Sequence, residues 1–250
     1  MKSMKTERMR SNSVPVTLIF GQEGRGKTTL ASRFPRPLFF AYERGIPANI
    51  EVDAVQNIDS FGATMDVLRH IYTEGAPNHD TLVFDTADAL EAHVIEHLCT
   101  RQGWDNIEKP PYGKGWVMAD DLWRQFIRAI TAIRDRHGKI ILLIAHTTIE
   151  RIDDPRAPTF TSYQPKLHKR ARALLMDACD IVAFLAEDLR VITDDGGFRE
   201  RTRATASNGR YLFVEGRPSF AAKNRFAMPE KIAIPMDFNF SELSKFWSGK

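Results

Sequence analysis

A glycine-rich stretch near the start of the sequence has the residue types and spacing to bind phosphate. Residues 21–28 read GQEGRGKT, which is a glycine, four residues, and then Gly-Lys-Thr. Glycines let the backbone wrap closely around an anion, so that successive N–H groups point at its oxygens. In this pattern the lysine reaches the β- and γ-phosphates and the threonine hydroxyl binds magnesium. The candidate nucleotide-binding residues are Gly21, Gln22, Glu23, Gly24, Arg25, Gly26, Lys27, Thr28 and Thr29.

Such a loop requires a strand before it and a helix after it, and the flanking sequence supplies both. The apolar run at residues 14–20 predicts a buried strand, and residues 28–34 predict a short helix that ends at Pro35. The positive end of the helix dipole adds to the field of the loop N–H groups. We therefore expect a nucleoside triphosphate site rather than a glycine turn with a solvated lysine.

Three further predicted strands each end on a polar side chain. The strands are residues 37–42, 81–84 and 139–145, and the residues that follow them are Glu43, Asp85 and His146. Ligands of open α/β sheets bind at the carboxyl ends of the strands, so these side chains should line the site. Asp85 is the expected magnesium residue, together with Thr28, because an aspartate that ends a strand is the usual partner of a phosphate loop. His146 could sense the γ-phosphate, or it could be a hydrogen-bonded polar cap on its strand.

Residues 101–118 give no regular pattern, and we expect a long loop. This segment mixes aromatic residues, lysines and glycines, and its candidate DNA-binding residues are Lys109, Tyr112, Lys114 and Trp116. Aromatic rings interleaved with lysines suit base stacking and phosphate attraction on single strands. The alternative is a surface loop whose aromatic rings pack on the domain.

A second irregular stretch is expected at residues 150–165, and a basic run follows it at residues 166–172. Lys166, Lys169 and Arg170 are its candidate phosphate-binding residues. A run of charges is also typical of a solvated helix face, and that alternative stays open.

Length and composition set wider bounds. With 250 residues, 43% of them hydrophobic, the chain can bury a sizeable core, and we expect a disordered basic arm at residues 1–13 before one domain at residues 14–250. A net charge of +3 means that nucleic-acid binding needs local basic patches. No apolar run of about 18 residues predicts a membrane span. Cys99 and Cys179 lack metal-binding spacing, which favours a reducing cytoplasm.

The remaining patterns complete an α/β fold. Helices are expected at residues 60–72, 87–100, 120–136 and 170–178, a core strand at 180–185, and a β-hairpin at 191–206 that turns at 194–197. Together they predict a P-loop NTPase with a mostly parallel sheet flanked by helices and a C-terminal antiparallel β-hairpin at its edge.

The order of these motifs resembles the RecA-like branch of P-loop ATPases, and within it the phage nucleotide-binding proteins of the AAA domain kind. Some of those are single-strand annealing proteins reduced to a RecA core. The resemblance rests on residues 21–28, Glu43, Asp85, His146 and a Lys-x-Arg pair, Lys223 and Arg225, and it extends from about residue 14 to residue 235.

This resemblance implies roles for particular residues. Glu43 would polarise the attacking water. His146 stands where this branch has a polar γ-phosphate sensor, which is a glutamine in the RecA recombinase itself. Lys223 and Arg225 match a pair that reaches the ATP of a neighbouring subunit in rings and filaments. Residues 101–118 and 150–169 fall where RecA-like proteins place their two DNA-binding loops.

The function that the resemblance implies is a slow, DNA-stimulated ATPase that uses ATP and Mg²⁺. Its partners would be single-stranded DNA, further copies of itself in a ring or filament, and a single-strand-binding protein, with no membrane. Its role would be ATP-dependent single-strand annealing in phage recombination or replication. The alternatives are a hexameric ring motor of the helicase type and a small-molecule or nucleotide kinase.

Overall fold

The structure is a computed structural model that describes residues 14–43, 45–194 and 201–247. Of residues 189–194 and 201–208 it describes the backbone alone. The arm expected at residues 1–13 and most of the turn expected at 194–197 lie outside the described residues.

A nine-stranded sheet forms the centre of the described chain. Its strands are β1 (Val16–Phe20), β2 (Pro37–Ala41), β3 (Asp53–Ala54), β4 (Thr81–Asp85), β5 (Ile140–Ala145), β8 (Ile181–Asp194), β9 (Arg201–Phe213), β10 (Lys223–Asn224) and β11 (Lys231–Ala233). A separate two-stranded ribbon consists of β6 (Thr147–Ile152) and β7 (Phe160–Pro165). The helices are α1 (Lys27–Ala31), α2 (Phe61–Glu74), α3 (Ala87–Gln102), α4 (Lys114–His137), α5 (Lys169–Ala178) and α6 (Ser241–Ser244).

The strand order confirms the predicted fold. Along the sheet the strands run β11-β9-β8-β1-β5-β4-β2-β3, and β10 pairs with β8. The six strands from β8 to β3 pair in parallel, whereas β9, β10 and β11 join by antiparallel pairing. The sheet is therefore mostly parallel, and the antiparallel hairpin lies at its C-terminal edge.

Both faces of the central strands are buried, which explains their continuous apolar sequences. In β1, Leu18 and Phe20 point into a core formed with α2 to α5, and Ile19 points into the opposite core with α1 and the C-terminal segment. Trp123 and Phe126 of α4 are fully buried in the first core. Because β1, β2, β4 and β5 pair in parallel, their carboxyl ends meet at one edge of the sheet.

The prediction of a loop over residues 101–118 is wrong at both ends. Helix α3 continues to Gln102, and α4 already begins at Lys114, so Lys114 and Trp116 are helical. Between them lie turns and a 3-10 helix at Pro111–Gly113. Gly115 suggested a loop, but it serves the packing of the helix, because a Cβ there would overlap the carbonyl group of Ile107.

The prediction of an irregular stretch over residues 150–165 is also wrong. Strands β6 and β7 form an antiparallel hairpin, in register from Thr147 opposite Pro165 to Ile152 opposite Phe160. The proline, aspartate and threonine residues that suggested a loop are concentrated at the tip, residues 153–159. The ribbon stands outside the main sheet, so burial does not impose an alternating apolar pattern on it.

Candidate nucleotide site

The phosphate loop joins β1 to α1, and its glycines have specific backbone roles. Gly24 and Gly26 adopt left-handed φ values of 71° and 80°, which side-chain-bearing residues disfavour. Gly21 lies so close to the backbone of Leu185 that a Cβ there would overlap the Leu185 carbonyl oxygen. The loop can therefore curve tightly, with its N–H groups available to an anion.

Lys27 is buried in the loop, with 7% of its surface exposed. Its Nζ donates to the carbonyl oxygens of Gly21 at 2.8 Å and Gln22 at 2.9 Å. Burial lowers the pKa of the Lys27 ammonium, and the carboxylates of Asp85 and Asp88 oppose that shift. The ammonium group is thus positioned by the loop that would surround a phosphate.

Thr28 and Asp85 place two side-chain oxygen groups next to the phosphate loop. Thr28 Oγ1 donates to Asp85 Oδ2 at 2.8 Å. Burial raises the pKa of the Asp85 carboxyl, and the Thr28 hydrogen bond and the Lys27 charge counteract that rise. Two hard oxygen groups next to a phosphate loop fit Mg²⁺, which is usually held by one or two protein oxygens together with phosphate oxygens.

Glu43, Asp88 and His146 form a second group of side chains, and their ligand atoms all lie within 4.8 Å of one another. His146 Nδ1 lies 2.8 Å from Asp88 Oδ2, and the backbone N–H of His146 donates to Asp88 Oδ1 at 2.9 Å. The Asp88 hydrogen bond raises the pKa of the His146 imidazole, although burial opposes it. Thr86 Oγ1 donates to Glu43 Oε1 at 3.3 Å.

Sequence reasoning missed Asp88. Its position three residues after Asp85, in the first turn of α3, places Asp88 near the strand ends, but no sequence pattern pairs it with His146, 58 residues further on. Burial alone would raise the pKa of its carboxyl, but the hydrogen bonds and charge of His146 outweigh burial and keep that pKa below its usual value. Asp88 therefore presents a carboxylate that fixes the orientation of the His146 ring.

Most of the predicted nucleotide-site residues line one cleft of about 460 Å³. The predicted residues in its wall are Glu23, Gly24, Gly26, Lys27, Thr28, Thr29, Glu43, Asp85 and His146. Gln22 and Arg25 instead point to the other side of the loop. Gln22 Nε2 donates to the Tyr163 hydroxyl at 3.3 Å, and Arg25 forms an ion pair with Glu187.

Lys223 and Arg225 lie at the opposite end of the sheet within the same chain. Arg225 pairs with Asp180 at 3.1 Å, and Lys223 Nζ donates to the carbonyl oxygens of Met176 and Asp177. Asp180 accepts from the N–H of Val16, at the amino end of β1. The two cations are therefore remote from their own phosphate loop, and their reach to a neighbouring subunit stays a prediction.

The predicted DNA-binding residues gather where α4 and α5 begin. The Trp116 ring stacks on the His168 ring at a centroid distance of 3.7 Å, which brings the two predicted segments together. Tyr112 is 95% exposed, and Lys114, Lys166 and Lys169 are exposed. Two other cations already have partners: Lys109 pairs with Asp105 and Arg170 with Asp120.

Membrane spanning finds no support in the described segments. Within residues 14–43, 45–194 and 201–247, no helix has both the length and the apolar composition needed to cross a bilayer.

The phosphate loop between β1 and α1, the strand-end Asp85 and the mostly parallel sheet define a P-loop nucleotide-binding protein. The chain belongs to the AAA domain family, which it matches over residues 15–226. Fold, site and family together make it a nucleotide-binding ATPase.

Two individual proteins are similar to this chain. It is 23% identical over 219 residues to the SPbeta prophage-derived uncharacterized protein YorG of Bacillus subtilis (strain 168), a match that covers 84% of this chain and 64% of YorG. The chain thus spans less than two thirds of the length of that relative. Among solved structures, the flagellar accessory protein FlaH from Methanocaldococcus jannaschii has a TM-score of 0.40 and 14% identity, over 89% of this chain and 84% of FlaH.

Proposed function

We propose that this ATPase binds single-stranded DNA and anneals complementary strands in phage recombination or replication. The observation that carries the proposal is a backbone hydrogen bond, in which Lys166 N–H donates to the carbonyl oxygen of His146 at 2.9 Å. His146 lines the nucleotide cleft, and Lys166 begins the basic run. A change at the γ-phosphate side of the cleft would therefore act directly on the residues proposed to hold DNA.

The β6–β7 hairpin extends this connection. β6 begins directly after His146, and β7 ends directly before Lys166, so both ends of the hairpin are fixed at the cleft. The start of α5 is fixed as well, because the N–H of His168 donates to both carboxylate oxygens of Glu91 on α3. Hairpin, basic run and cleft thus form one connected unit.

In the cleft, each residue has a defined task in the proposed reaction. Lys27 and the loop N–H groups would bind the phosphates, while Thr28 and Asp85 would hold Mg²⁺. When bound, the metal ion would neutralise charge on the phosphate oxygens. Glu43 would orient the attacking water, and His146, with its ring fixed by Asp88, would contact the γ-phosphate side.

A phage setting is supported by the prophage-derived relative. Self-assembly is supported by the position of Arg225, whose side chain is 53% exposed at the sheet edge away from its own phosphate loop. In an assembly, that edge would face the cleft of the next subunit.

The test is ATP turnover with and without single-stranded and duplex DNA, together with annealing of complementary oligonucleotides. We expect turnover to rise with single strands and annealing to depend on ATP. Lys27→Ala is the control. This variant should not bind nucleotide, so it should show no ATP turnover even when DNA is present. Equal turnover with and without single strands, and no affinity for them at low salt, would refute the DNA part of the proposal.

A small-molecule kinase is the second candidate, and an acidic cavity favours it. This cavity of about 570 Å³ shares Glu43 with the nucleotide cleft, and its wall includes Asp88, Glu91, Glu150 and Lys166. It lies where a cationic acceptor could approach the γ-phosphate. Release of inorganic phosphate in equal amount to ADP, in the presence of candidate amines, would exclude the kinase; a phosphorylated product would establish it.

A further inference from the structure

Arg210 of β9 lies against the phosphate loop, although no pattern in the sequence marked it. Its Nη1 donates to the carbonyl oxygen of Arg25 at 3.4 Å. A Cβ added at Gly26 would overlap the same nitrogen, so the guanidinium covers the residue directly before Lys27. This contact joins residues 185 positions apart in the chain.

The Arg210 guanidinium makes only weak hydrogen bonds. Glu187 is its direct partner in the β8–β9 register, but that carboxylate pairs with Arg25. The other contact of Arg210 is to Met236 Sδ at 3.5 Å, and a thioether sulfur is a weak acceptor. Among the described residues, none gives Arg210 a carboxylate partner. The half-buried cation therefore retains the capacity to bind a further group.

The strand order shows which end of a nucleotide this cation would meet. Glu43, Asp85 and His146 stand at the ends of β2, β4 and β5, which all lie on one side of β1. Arg210 is on β9, beyond β8 on the other side. Thr28, next to Lys27, pairs with Asp85 on the first side, so a γ-phosphate held there with Mg²⁺ would leave the nucleoside end of the ligand to extend towards the second side.

Met236 adds a second surface beside Arg210. Its side chain is 75% exposed, and its carbonyl oxygen accepts from Arg33 at 3.3 Å. The carbonyl oxygen of Arg210 accepts from the N–H of Ile234 at 2.8 Å, which holds the two segments together. A planar guanidinium and a polarizable thioether both make favourable contacts with flat aromatic rings.

We propose that Arg210 and Met236 form the platform on which the nucleobase of the bound nucleotide stacks. This assignment rests on the proposed nucleotide site and specifies the part of the ligand that the phosphate loop itself does not recognise. Stacking depends on the ring face that every base has, so the platform is tolerant of base identity.

The test compares Mg-ATP with Mg-tripolyphosphate, which has the phosphates without the nucleoside. Binding of both is measured by calorimetry for the full chain and for Arg210→Ala, Arg210→Lys and Met236→Ala. Arg210→Ala should weaken ATP about 3- to 30-fold, the range of cation–π contacts, and leave tripolyphosphate unchanged. Arg210→Lys should recover only part of that loss, because it restores charge without a planar group. Arg124→Ala, an exposed arginine on α4, is the control.

Parallel losses of ATP and tripolyphosphate would overturn the proposal, because Arg210 would then brace the loop or contact phosphate. Full recovery of ATP affinity by Arg210→Lys, or no loss in Arg210→Ala, would overturn it too. If Arg210→Ala does not fold, the exposed Met236→Ala decides, with a loss of about twofold or more expected for ATP alone. If the unmodified chain binds neither Mg-ATP nor Mg-tripolyphosphate, that result would instead refute the nucleotide site.

Discussion

Glu43 and His146, two residues of the nucleotide cleft, differ in how firmly hydrogen bonds hold their side chains. His146 has its ring and its backbone N–H bonded to one carboxylate, Asp88. Glu43 is exposed, and within the described residues its carboxylate accepts a single hydrogen bond, from the Thr86 hydroxyl at 3.3 Å. A carboxylate with this freedom can turn towards a water molecule, whereas the His146 ring is oriented before any ligand arrives.

The first prediction concerns this freedom. Glu43→Gln should bind ATP with nearly unchanged affinity and lower turnover by about 100-fold or more, because the amide is a far weaker base than the carboxylate. Turnover and binding are measured side by side. Glu51→Gln, at another exposed carboxylate, is the matched control. Unchanged turnover in Glu43→Gln would show that this carboxylate does not act on water.

A second prediction at this scale follows from Glu91. Burial raises the pKa of its carboxyl to about 7, so stability is lost as the pH rises from the ordinary value of 4.5 through 7. Glu91→Gln removes the charge, and its amide oxygen can still accept from the His168 N–H. We expect the variant to be more stable by about 3 kcal/mol at pH 8 and by less than about 1 kcal/mol at pH 5.

Thermal unfolding at the two pH values measures this difference. A gain of about 3 kcal/mol corresponds to a rise in Tm of about 6–12 °C for a chain of this size. Glu96→Gln, at an exposed position on the same helix, should show no pH-dependent gain. Equal shifts at pH 5 and pH 8 would contradict a charge effect at Glu91.

At the scale of elements, the starts of α4 and α5 carry the expected DNA surface, but the cations there are not equivalent. Arg170 pairs with Asp120, whose side chain is only 11% exposed. Lys166 and Lys169 are exposed and have no ion-pair partner among the described residues. Because Trp116 already stacks on His168, we expect the exposed Tyr112 ring, rather than Trp116, to stack on bases.

The third prediction separates charge from stacking on this surface. Replacing Lys166 and Lys169 by Ala should lower the salt slope of single-strand binding by about 1.4, because two phosphate contacts are lost. Tyr112→Ala should weaken binding about 5- to 100-fold without changing the slope. Lys245→Ala, at the exposed residue that directly follows α6, is the control. Arg170→Ala should lower stability instead, since it leaves the Asp120 carboxylate without its partner.

Those results would be read from binding curves at several salt concentrations. An unchanged slope in the double lysine variant would show that the basic run is only a solvated helix face. A changed slope in Tyr112→Ala would show that this ring does not act by stacking.

At the scale of the whole molecule, the two ends of the sheet carry different parts of the expected reaction. The phosphate loop lies at the carboxyl end, and Arg225 lies at the amino end with Asp180. Glu230, the next carboxylate along the chain from Arg225, pairs with Arg217 instead. Asp180 also pairs with Arg134, so removal of Arg225 should leave this region folded.

The fourth prediction tests whether two chains share a site. Arg225→Ala should bind ATP and hydrolyse it poorly, and mixing it with Lys27→Ala should recover activity above the sum of the two. The excess would come from interfaces that join an intact phosphate loop to an intact Arg225. Turnover is measured against mixing ratio under conditions of subunit exchange.

The control is a mixture of Lys27→Ala with Glu43→Gln. Lys27 and Glu43 belong to the same cleft of one chain, so no subunit in this mixture has both residues intact and no excess activity is expected. A strictly additive line for the Arg225→Ala mixture would leave Arg225 as a structural residue. Excess activity in the control mixture would show that recovery does not report on shared sites.

Local sequence patterns were sufficient to predict the phosphate loop and the proximity of Glu43, Asp85 and His146. Each depends on a short apolar run, and parallel strands necessarily bring their carboxyl ends to one edge. Tertiary structure alone decided the Asp88–His146 pair, across 58 residues, and the Arg210 contact, across 185. It also decided the start of α4, because Gly115 is favoured there by its closeness to Ile107. Such contacts depend on which surfaces the folded sheet and helices bring together, and this cannot be derived from the spacing of residues along the sequence.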